Sequence, residues 1–165
     1  MVGRRRDGAS HSLRDCAPVP VDTRAVGKSY APDLYAVGRE KIREYASAVG
    51  ETNPLHLDLD AARAAGHADL VAPPMFAVVY GMRALAPAAF DPEVGMNFAM
   101  TVHGGQEFQW ERLVIAGDEI STATSVKGIE ERGGMGFYVF ETTSTNQRGE
   151  HVCTGIWTNI VRGVG

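Results

Sequence analysis

Residues 74 to 86 read PMFAVVYGMRALA, with Arg83 as the one charged side chain. A helix of this composition has no polar face, so it is expected to be buried on nearly every side. Pro74 suits the first helical turn because its missing N–H has no partner there, and Pro87 is expected to end the helix. Gly81 costs about 1 kcal/mol relative to alanine inside a helix, which predicts close approach of a neighbouring backbone. We therefore predict a central helix around which the rest of the chain folds.

The sequence after this helix changes to the two-residue period of β-strands. Alternating or β-branched runs occur at four places, residues 108–112, 120–126, 137–146 and 151–161. The breaks between these runs have turn compositions, which predicts that successive strands are antiparallel hairpin neighbours. Residues 26–37 are expected to form a pair of edge strands. A buried helix followed by a long antiparallel sheet predicts an α+β fold with the sheet curled around the helix.

Two short helices are predicted ahead of the central one. Residues 39–49 carry four apolar residues on one helical face, namely Ile42, Tyr45, Ala46 and Val49. Gly50 follows in the C-cap position, and a second, weaker helix is expected to begin at Asp58 and to end at Gly66. The loop of residues 51–56 is thus tethered at both ends, which holds its side chains in place.

Composition excludes several classes of protein. The chain has 165 residues, of which 44% are hydrophobic and 22% charged, and this is typical of one folded domain. Its net charge of -4 argues against a nucleic-acid partner. No apolar tract approaches the roughly 20 residues that a bilayer span requires, so no membrane partner is expected. Cys16 and Cys153 are far apart in sequence, which favours a reduced, cytoplasmic protein.

The amino terminus is expected to lie outside the folded domain. Three arginines at positions 4–6 are followed by polar residues rather than by the apolar segment of an export signal. We therefore predict a flexible arm over residues 1–22 and a folded domain over residues 23–165.

The densest group of functional side chains is ETNPLH, residues 51–56. Pro54 restrains Asn53 to an extended conformation, so that Glu51 and His56 can project towards a common point. A carboxylate facing a histidine can share a water molecule, remove one proton and deliver another. The same residues also fit a solvated glutamate after a helix end and a histidine that anchors the loop. The residues alone leave both interpretations open.

ETNPLH resembles the signature G-D-x-N-P-[LIV]-H of MaoC-like (R)-specific enoyl-thioester hydratases and 3-hydroxyacyl-thioester dehydratases. The resemblance covers residues 25–162 and includes APPMF at 72–76, the turn IAGD at 115–118 and the paired strands that follow. The phrase VGREKIREYASAVG at 37–50, with an expected polar loop at His103-Gly104-Gly105, is similar to the amino-terminal-type MaoC dehydratases. That group includes subunits of two-chain dehydratases of fatty-acid synthesis.

The resemblance implies a single hot dog fold that dimerises, with an identical or a different chain, to close the substrate channel. It implies reversible dehydration of (3R)-hydroxyacyl thioesters to trans-2-enoyl thioesters of coenzyme A or acyl carrier protein, without a cofactor. His56 and Glu51 would bind the water, and Asn53 would orient it. Pro74 and Met75, at the start of the central helix, would bind the substrate.

Two positions depart from the family pattern. Glu51 stands where the signature has aspartate, and its side chain is longer by one methylene. Pro74 stands where the family places a glycine whose backbone N–H polarises the thioester carbonyl, and proline has no N–H. Either the N–H of Met75 or another donor takes that role, or the chain is a non-catalytic acyl-binding subunit whose partner chain carries most of the catalysis.

The other candidate groups are interpreted as structural. Tyr80 and Met82 of the central helix are expected to be core residues. Three histidines, His67, His103 and His151, are expected at the surface or in turns, and none has a zinc-like spacing to another, so we expect no metal site. A thioesterase on the same fold would need a carboxylate in the central helix, and residues 74–86 contain none.

Overall fold

Five antiparallel strands form one sheet in the computed structural model, which describes residues 20–163. The strands are β1 (Ser29–Ala36), β2 (Thr101–Trp110), β3 (Glu119–Arg132), β4 (Met135–Thr145) and β5 (His151–Arg162). The helices are α1 (Arg39–Ala48), α2 (Pro54–Leu57), α3 (Leu59–Ala64) and α4 (Ala77–Ala89), with single 3₁₀ turns at Pro74–Phe76 and Phe98–Met100. The predicted α+β class is confirmed, since α4 packs against β1, β3 and β4 of the antiparallel sheet.

The strand order β1-β3-β4-β5-β2 corrects the prediction that all successive strands are hairpin neighbours. Hairpins join β3 to β4 and β4 to β5, but β2 pairs with β5, with Trp110 opposite Cys153. Both edges of β3 are already occupied, by β1 and β4, so β2 cannot pair with β3, the strand that follows it, and lies at the edge of β5 instead. The turn at 116–118 therefore links two strands that do not pair with each other.

The edge strands differ from expectation in two details. Residues 26–37 contain the single strand β1 rather than a pair, and its register shifts between Tyr30 and Asp33, around Pro32. Proline is tolerated there because an edge strand can omit one ladder hydrogen bond. His103-Gly104-Gly105 is part of β2 and not a loop, and the register against β5 shifts between His103 and Gly105. This shift is a β-bulge, which keeps the residues on either side of it in the sheet.

The short helices form close to the predicted positions. α1 ends at Ala48, and Gly50 follows with φ 71°, the left-handed region that favours glycine. Asp58 caps α3, because its carboxylate accepts from the N–H groups of Asp60 and Ala61 at 2.8 and 3.3 Å. The segment between α1 and α3 is not an open loop throughout, since residues 54–57 form the single turn α2.

The central helix is confirmed, with two corrections. It begins as a 3₁₀ turn and continues as α4 to Ala89, so Pro87 lies inside the last turn instead of ending the helix. Proline removes only the N–H of its own position, and the buried Ala88 and Ala89 keep the last turn packed. The close neighbour of Gly81 is a side chain and not a backbone, because a Cβ on Gly81 would lie 2.6 Å from Cζ2 of Trp157.

The core consists of two adjoining clusters. The first cluster, here called the upper cluster, surrounds Phe76 and Tyr80 at the start of α4. The second, here called the lower cluster, surrounds Phe140 and Trp157. Phe108 on β2 packs against both of them. Of the predicted amino-terminal arm, residues 1–19 lie outside the described residues, whereas Val21 packs against the lower cluster. No helix of residues 20–163 is long and apolar enough to span a membrane.

Candidate active site

The imidazole of His56 is buried, with 6% of the residue exposed, and hydrogen-bonded to the backbone. Its Nδ1 lies 2.7 Å from the carbonyl oxygen of Val71. A carbonyl can only accept a hydrogen bond, so the proton of the neutral ring is on Nδ1 and the lone pair is on Nε2. The N–H of Val71 in turn donates to the carbonyl of Leu55 at 3.0 Å. These two bonds orient the ring so that Nε2 can act as a base.

The segment that holds His56 is itself fixed in the core. Leu70, Val71 and Ala72 are all buried. Ala72 donates its N–H to the carbonyl of Val114 at 2.8 Å, and the N–H of residue 116 donates to Leu70 at 2.9 Å. Residues 70–72 therefore lie between the His56 segment and residues 114–116 as a short strand-like piece. His56 is positioned by backbone bonds to the core rather than by flexible side chains.

The carboxylate of Glu51 turns back onto its own loop. Its Oε1 accepts from the N–H groups of Thr52 and Asn53 at 2.9 and 3.0 Å. The bond from Asn53, followed by that from Thr52, lowers the pKa of Glu51. Glu51 is therefore ionised at neutral pH. Within residues 20–163, Oε2 has no hydrogen-bond partner and can accept from a water molecule.

Asn53 has a structural contact in this loop. Its backbone is extended, with φ -64° and ψ 122°, as the following Pro54 predicts. Its Oδ1 accepts from the N–H of Leu55 at 3.1 Å and so caps α2. The side-chain NH₂ has no acceptor in the part of the chain that the structure describes. If Asn53 orients a water molecule, this NH₂ group is the donor that remains for it.

The start of the central helix offers one free backbone donor. Pro74 has no N–H, and the N–H of Phe76 donates to Pro73 at 2.8 Å. No group in residues 20–163 accepts from the N–H of Met75. The free donor therefore lies one residue after the position at which the family pattern places a glycine.

Two aromatic side chains hold the carbonyl groups of the same turn. The indole Nε1–H of Trp110 donates to the carbonyl of Pro74 at 2.9 Å. The hydroxyl of Tyr45 donates to the carbonyl of Met75 at 3.1 Å. Trp110 also lines the cavity, and it was not predicted to belong to the site because the alternation of β2 explains it as a packing residue. Tyr45 does not line the cavity and lies on the apolar face of α1, as predicted. The available signal was the indole N–H of a strand-end tryptophan, which needs an acceptor.

An apolar cavity of about 350 Å³ opens beside this turn. Its walls include Pro73, Pro74, Phe76, Ala77, Tyr80 and Trp110. This volume is within the range of small-molecule sites. The predicted site residues thus divide into the turn with Pro74 and Met75 and the loop with Glu51, Asn53 and His56, and of these five residues only Pro74 lines the cavity. The groups are linked through residues 71–74, because Val71 binds His56 and the adjacent Ala72 belongs to the cavity wall.

The cavity wall is mostly apolar, and the charged residues that it includes are Glu111 and Arg112. Tyr80 is buried, and burial, with a smaller effect from Cys153, raises the pKa of its hydroxyl above the usual range. Burial also raises the pKa of the Cys153 thiol to about 11. Both groups are neutral at physiological pH, so Tyr80 adds no charge to the apolar part of the wall. Tyr80 lines the cavity as well as the core, whereas Met82, also predicted to be core, is 56% exposed.

The described residues contain no arrangement of metal ligands. In the range 20–163, no group of three or more His, Cys, Asp or Glu side chains could hold a metal ion. The chemistry that this arrangement can support is transfer of protons by Glu51 and His56, with hydrogen bonding to an oxygen by the N–H of Met75.

The chain is similar to known proteins in sequence and in fold. The model of the family described as FAS1-like, dehydratase domain region, matches residues 24–155. The chain is 46% identical over 146 residues to a UPF0336 protein of Leifsonia xyli subsp. xyli, which covers 88% of this chain and 98% of that protein.

Two solved structures share the fold. One is a MaoC-like dehydratase, 31% identical with a TM-score of 0.77, covering 84% of this chain and 42% of that one. This chain therefore spans less than half the length of that dehydratase. The other is the C-terminally truncated HadBC (3R-hydroxyacyl-ACP dehydratase) complex of Mycobacterium tuberculosis, 28% identical with a TM-score of 0.73, covering 82% of this chain and 96% of that one.

Proposed function

The chain belongs to the FAS1-like dehydratase-region family and has the hot dog fold of MaoC-like dehydratases, and from this premise we propose that it dehydrates (3R)-hydroxyacyl thioesters reversibly to trans-2-enoyl thioesters. The observation that carries the proposal is the fixed orientation of His56, whose Nδ1 is bonded to Val71, the residue next to Ala72 of the cavity wall, and whose Nε2 is left free. The cavity suits an acyl chain, and the N–H of Met75 is free to bind a thioester oxygen.

We derive the steps in the hydration direction. Oε2 of Glu51 and Nε2 of His56 hold a water molecule. His56 removes a proton from this water as its oxygen bonds to C3 of the enoyl thioester. The electron pair of the C2–C3 double bond moves towards the thioester oxygen, where the N–H of Met75 stabilises the charge. The proton then passes from His56 to C2, so that one water molecule has added across the double bond. Dehydration follows the same steps in reverse.

We propose that a second hot dog chain, identical or different, completes the site. β2 lies at one end of the sheet, so the outer backbone groups of a ten-residue strand have no partner strand among the described residues. Apolar side chains are exposed on and next to this strand, namely Phe98, Met100, Val102 and Trp110. A long edge with exposed apolar residues is typical of a protein interface. The dehydratase from Mycobacterium tuberculosis is itself named as a complex.

The second candidate is an acyl-binding subunit whose partner chain carries most of the catalysis. Two observations favour it. Pro74 has no backbone N–H at the position where the family pattern has a glycine donor. Oε1 of Glu51 already accepts two hydrogen bonds from its own loop. The cavity would then hold the acyl chain of a coenzyme A or acyl-carrier-protein thioester in fatty-acid or related acyl metabolism.

The test is hydration of crotonyl-CoA and of a longer 2-enoyl-CoA by the purified full chain. Loss of absorbance of the conjugated thioester measures the rate. We expect His56→Ala to lower kcat by about 10²-fold or more, since acid-base groups contribute about 10²–10⁴-fold. Glu51→Gln should have an effect of about the same size, because the water loses an ionised acceptor that positions it. His67→Ala is the matched control, because His67 lies outside the loop of residues 51–56 and, unlike His56, makes no side-chain hydrogen bond within residues 20–163.

The outcomes separate the two candidates. Turnover that both site variants abolish and the control retains supports the first. Full activity of His56→Ala contradicts the proposed chemistry. A folded wild-type chain that binds 2-enoyl-CoA without turnover supports the binding subunit, and a second MaoC-like chain should then restore the reaction.

A further inference from the structure

Trp110 binds the backbone group next to the free donor of the site. We propose that Trp110 is a positioning residue whose indole N–H holds the Pro74–Met75 peptide so that the N–H of Met75 faces the thioester oxygen. This inference rests on the proposed function and adds to it a residue outside the family signature.

One peptide unit connects the indole of Trp110 to the free donor. The carbonyl of Pro74 and the N–H of Met75 belong to the same peptide, and residues 20–163 contain no cis peptide bond. In a planar trans peptide the C=O and N–H vectors point in opposite directions. A donor that fixes the carbonyl oxygen therefore fixes the direction of the N–H. Nε1 of Trp110 lies 2.9 Å from that oxygen, which is a normal hydrogen-bond length.

The turn that carries this peptide needs support from outside. It is a 3₁₀ turn of three residues, and 3₁₀ hydrogen bonds have poorer geometry than those of an α-helix. Pro74 and Met75 are both exposed, so packing does not hold their backbone. The helix itself supplies one bond to the Pro74 carbonyl, from the N–H of Ala77, and the indole supplies the second.

The position of Trp110 is more typical of a hydrogen-bonding role than of core packing. The residue ends the edge strand β2 and is 45% exposed, although its ring contacts that of Phe108 with centroids 5.6 Å apart. An exposed tryptophan gains little from burial, while its N–H makes a long-range bond to a residue 36 positions away. The same side chain lines the cavity, so the donor and the ligand site share one wall.

The test compares Trp110→Phe with Tyr45→Phe in the full chain. Trp110→Phe deletes the indole N–H and keeps an aromatic ring in the cavity wall. Tyr45→Phe deletes one donor to the same turn, but its acceptor, the carbonyl of Met75, belongs to the following peptide. We expect Trp110→Phe to lower kcat for crotonyl-CoA about tenfold with KM within about twofold, since misplacing an oxyanion donor acts mainly on the transition state. Tyr45→Phe should change kcat by no more than about threefold.

A spectroscopic readout makes the test independent of turnover. The infrared stretch of a 2-enoyl-CoA labelled with ¹³C at the thioester carbonyl should fall in frequency when the ligand binds the wild-type chain. This shift should be smaller in Trp110→Phe and unchanged in Tyr45→Phe. Thermal unfolding of all three proteins shows whether the variants keep their fold.

The results distinguish a failure of the positioning role of Trp110 from a failure of the dehydratase proposal. Wild-type kcat and carbonyl shift in Trp110→Phe overturn the positioning role and leave the dehydratase proposal intact. A raised KM with unchanged kcat also overturns it, because Trp110 would then only line the cavity. If the wild type has no turnover but shifts the carbonyl, the loss of that shift in Trp110→Phe still supports the role. A wild-type chain that neither binds nor hydrates the thioester overturns both proposals.

Discussion

The two halves of the candidate site are held in different ways. Apart from the bond of His56 to Val71, the loop Glu51–His56 is organised by contacts within a few residues, such as the bonds from Thr52 and Asn53 to the Glu51 carboxylate and the cap on α2. The turn Pro74–Phe76 is held by side chains 30 and 36 residues away in sequence. The first half is therefore encoded locally, whereas the second depends on how strands and helices pack. Three kinds of substitution test this difference separately. They change the packing of α4, the side chains that cap α2 and α3, and the charge of Glu51.

The largest effect on stability and activity is expected from Gly81→Ala. This change disturbs the packing of α4, which carries the turn Pro74–Phe76. The new Cβ would lie 2.6 Å from Cζ2 of the buried Trp157, so α4 or the indole must move. Overpacking of this kind costs about 1–3 kcal/mol, more than the roughly 1 kcal/mol that alanine gains over glycine in a helix. We expect a lower free energy of unfolding in urea and a lower kcat, because the start of α4 moves with the helix.

Gly128→Ala provides the matched control for this change. A Cβ at Gly128 meets no atom within 4 Å, so its effect on unfolding should be small. Equal stability of Gly81→Ala and the wild type would show that the contact with Trp157 does not position α4.

An intermediate effect on stability and activity is expected from Asn53→Ala, which disturbs the loop Glu51–His56. The substitution removes the cap on α2 and should cost about 1 kcal/mol of unfolding free energy. It also removes the NH₂ group available to the water molecule, so kcat should fall by more than tenfold. Urea unfolding and the crotonyl-CoA assay measure the two quantities.

Asp58→Ala tests whether the loss of activity comes from the cap alone. Asp58 caps the next helix, α3, through the same kind of bond, at 2.8 Å to the N–H of Asp60. We expect a similar loss of stability with kcat within about threefold of the wild type. A comparable loss of kcat in both variants would mean that Asn53 acts only by stabilising the loop.

The smallest effect is the pH dependence of stability contributed by Glu51. Hydrogen bonds from Asn53 and Thr52 lower its pKa in the folded chain from the ordinary value of 4.5. A group with a lowered folded pKa stabilises the fold above the unfolded pKa and loses this contribution as pH falls through the folded pKa. The excess stability of wild type over Glu51→Gln should therefore be full at pH 7 and should decrease below about pH 4.5. A difference in Tm that is the same at pH 7 and pH 3 would contradict this.

The same distinction explains which parts of the fold could be predicted. The period of residues 39–49 and the apolar run at 74–86 are local signals, and α1 and α4 form where those signals lie. The end of α4 was predicted too early, because proline breaks a helix only where the lost hydrogen bond and the ring clash outweigh packing, and Ala88 and Ala89 are buried. The pairing of β2 with β5 was missed because turn composition signals a change of direction, not which strand becomes the neighbour.

The amino-acid sequence by itself determined the α+β class, the loop that contains Glu51, Asn53 and His56, and the family, since each depends on residue types at short spacing. Tertiary structure alone decided that His56 binds the carbonyl of Val71, that Met75 has the free N–H, and that Trp110 lies on the carbonyl of Pro74. These contacts join residues 15 and 36 positions apart. The physical reason is that hydrogen bonds of this range form only once the sheet and the central helix have packed, and no local pattern specifies that packing.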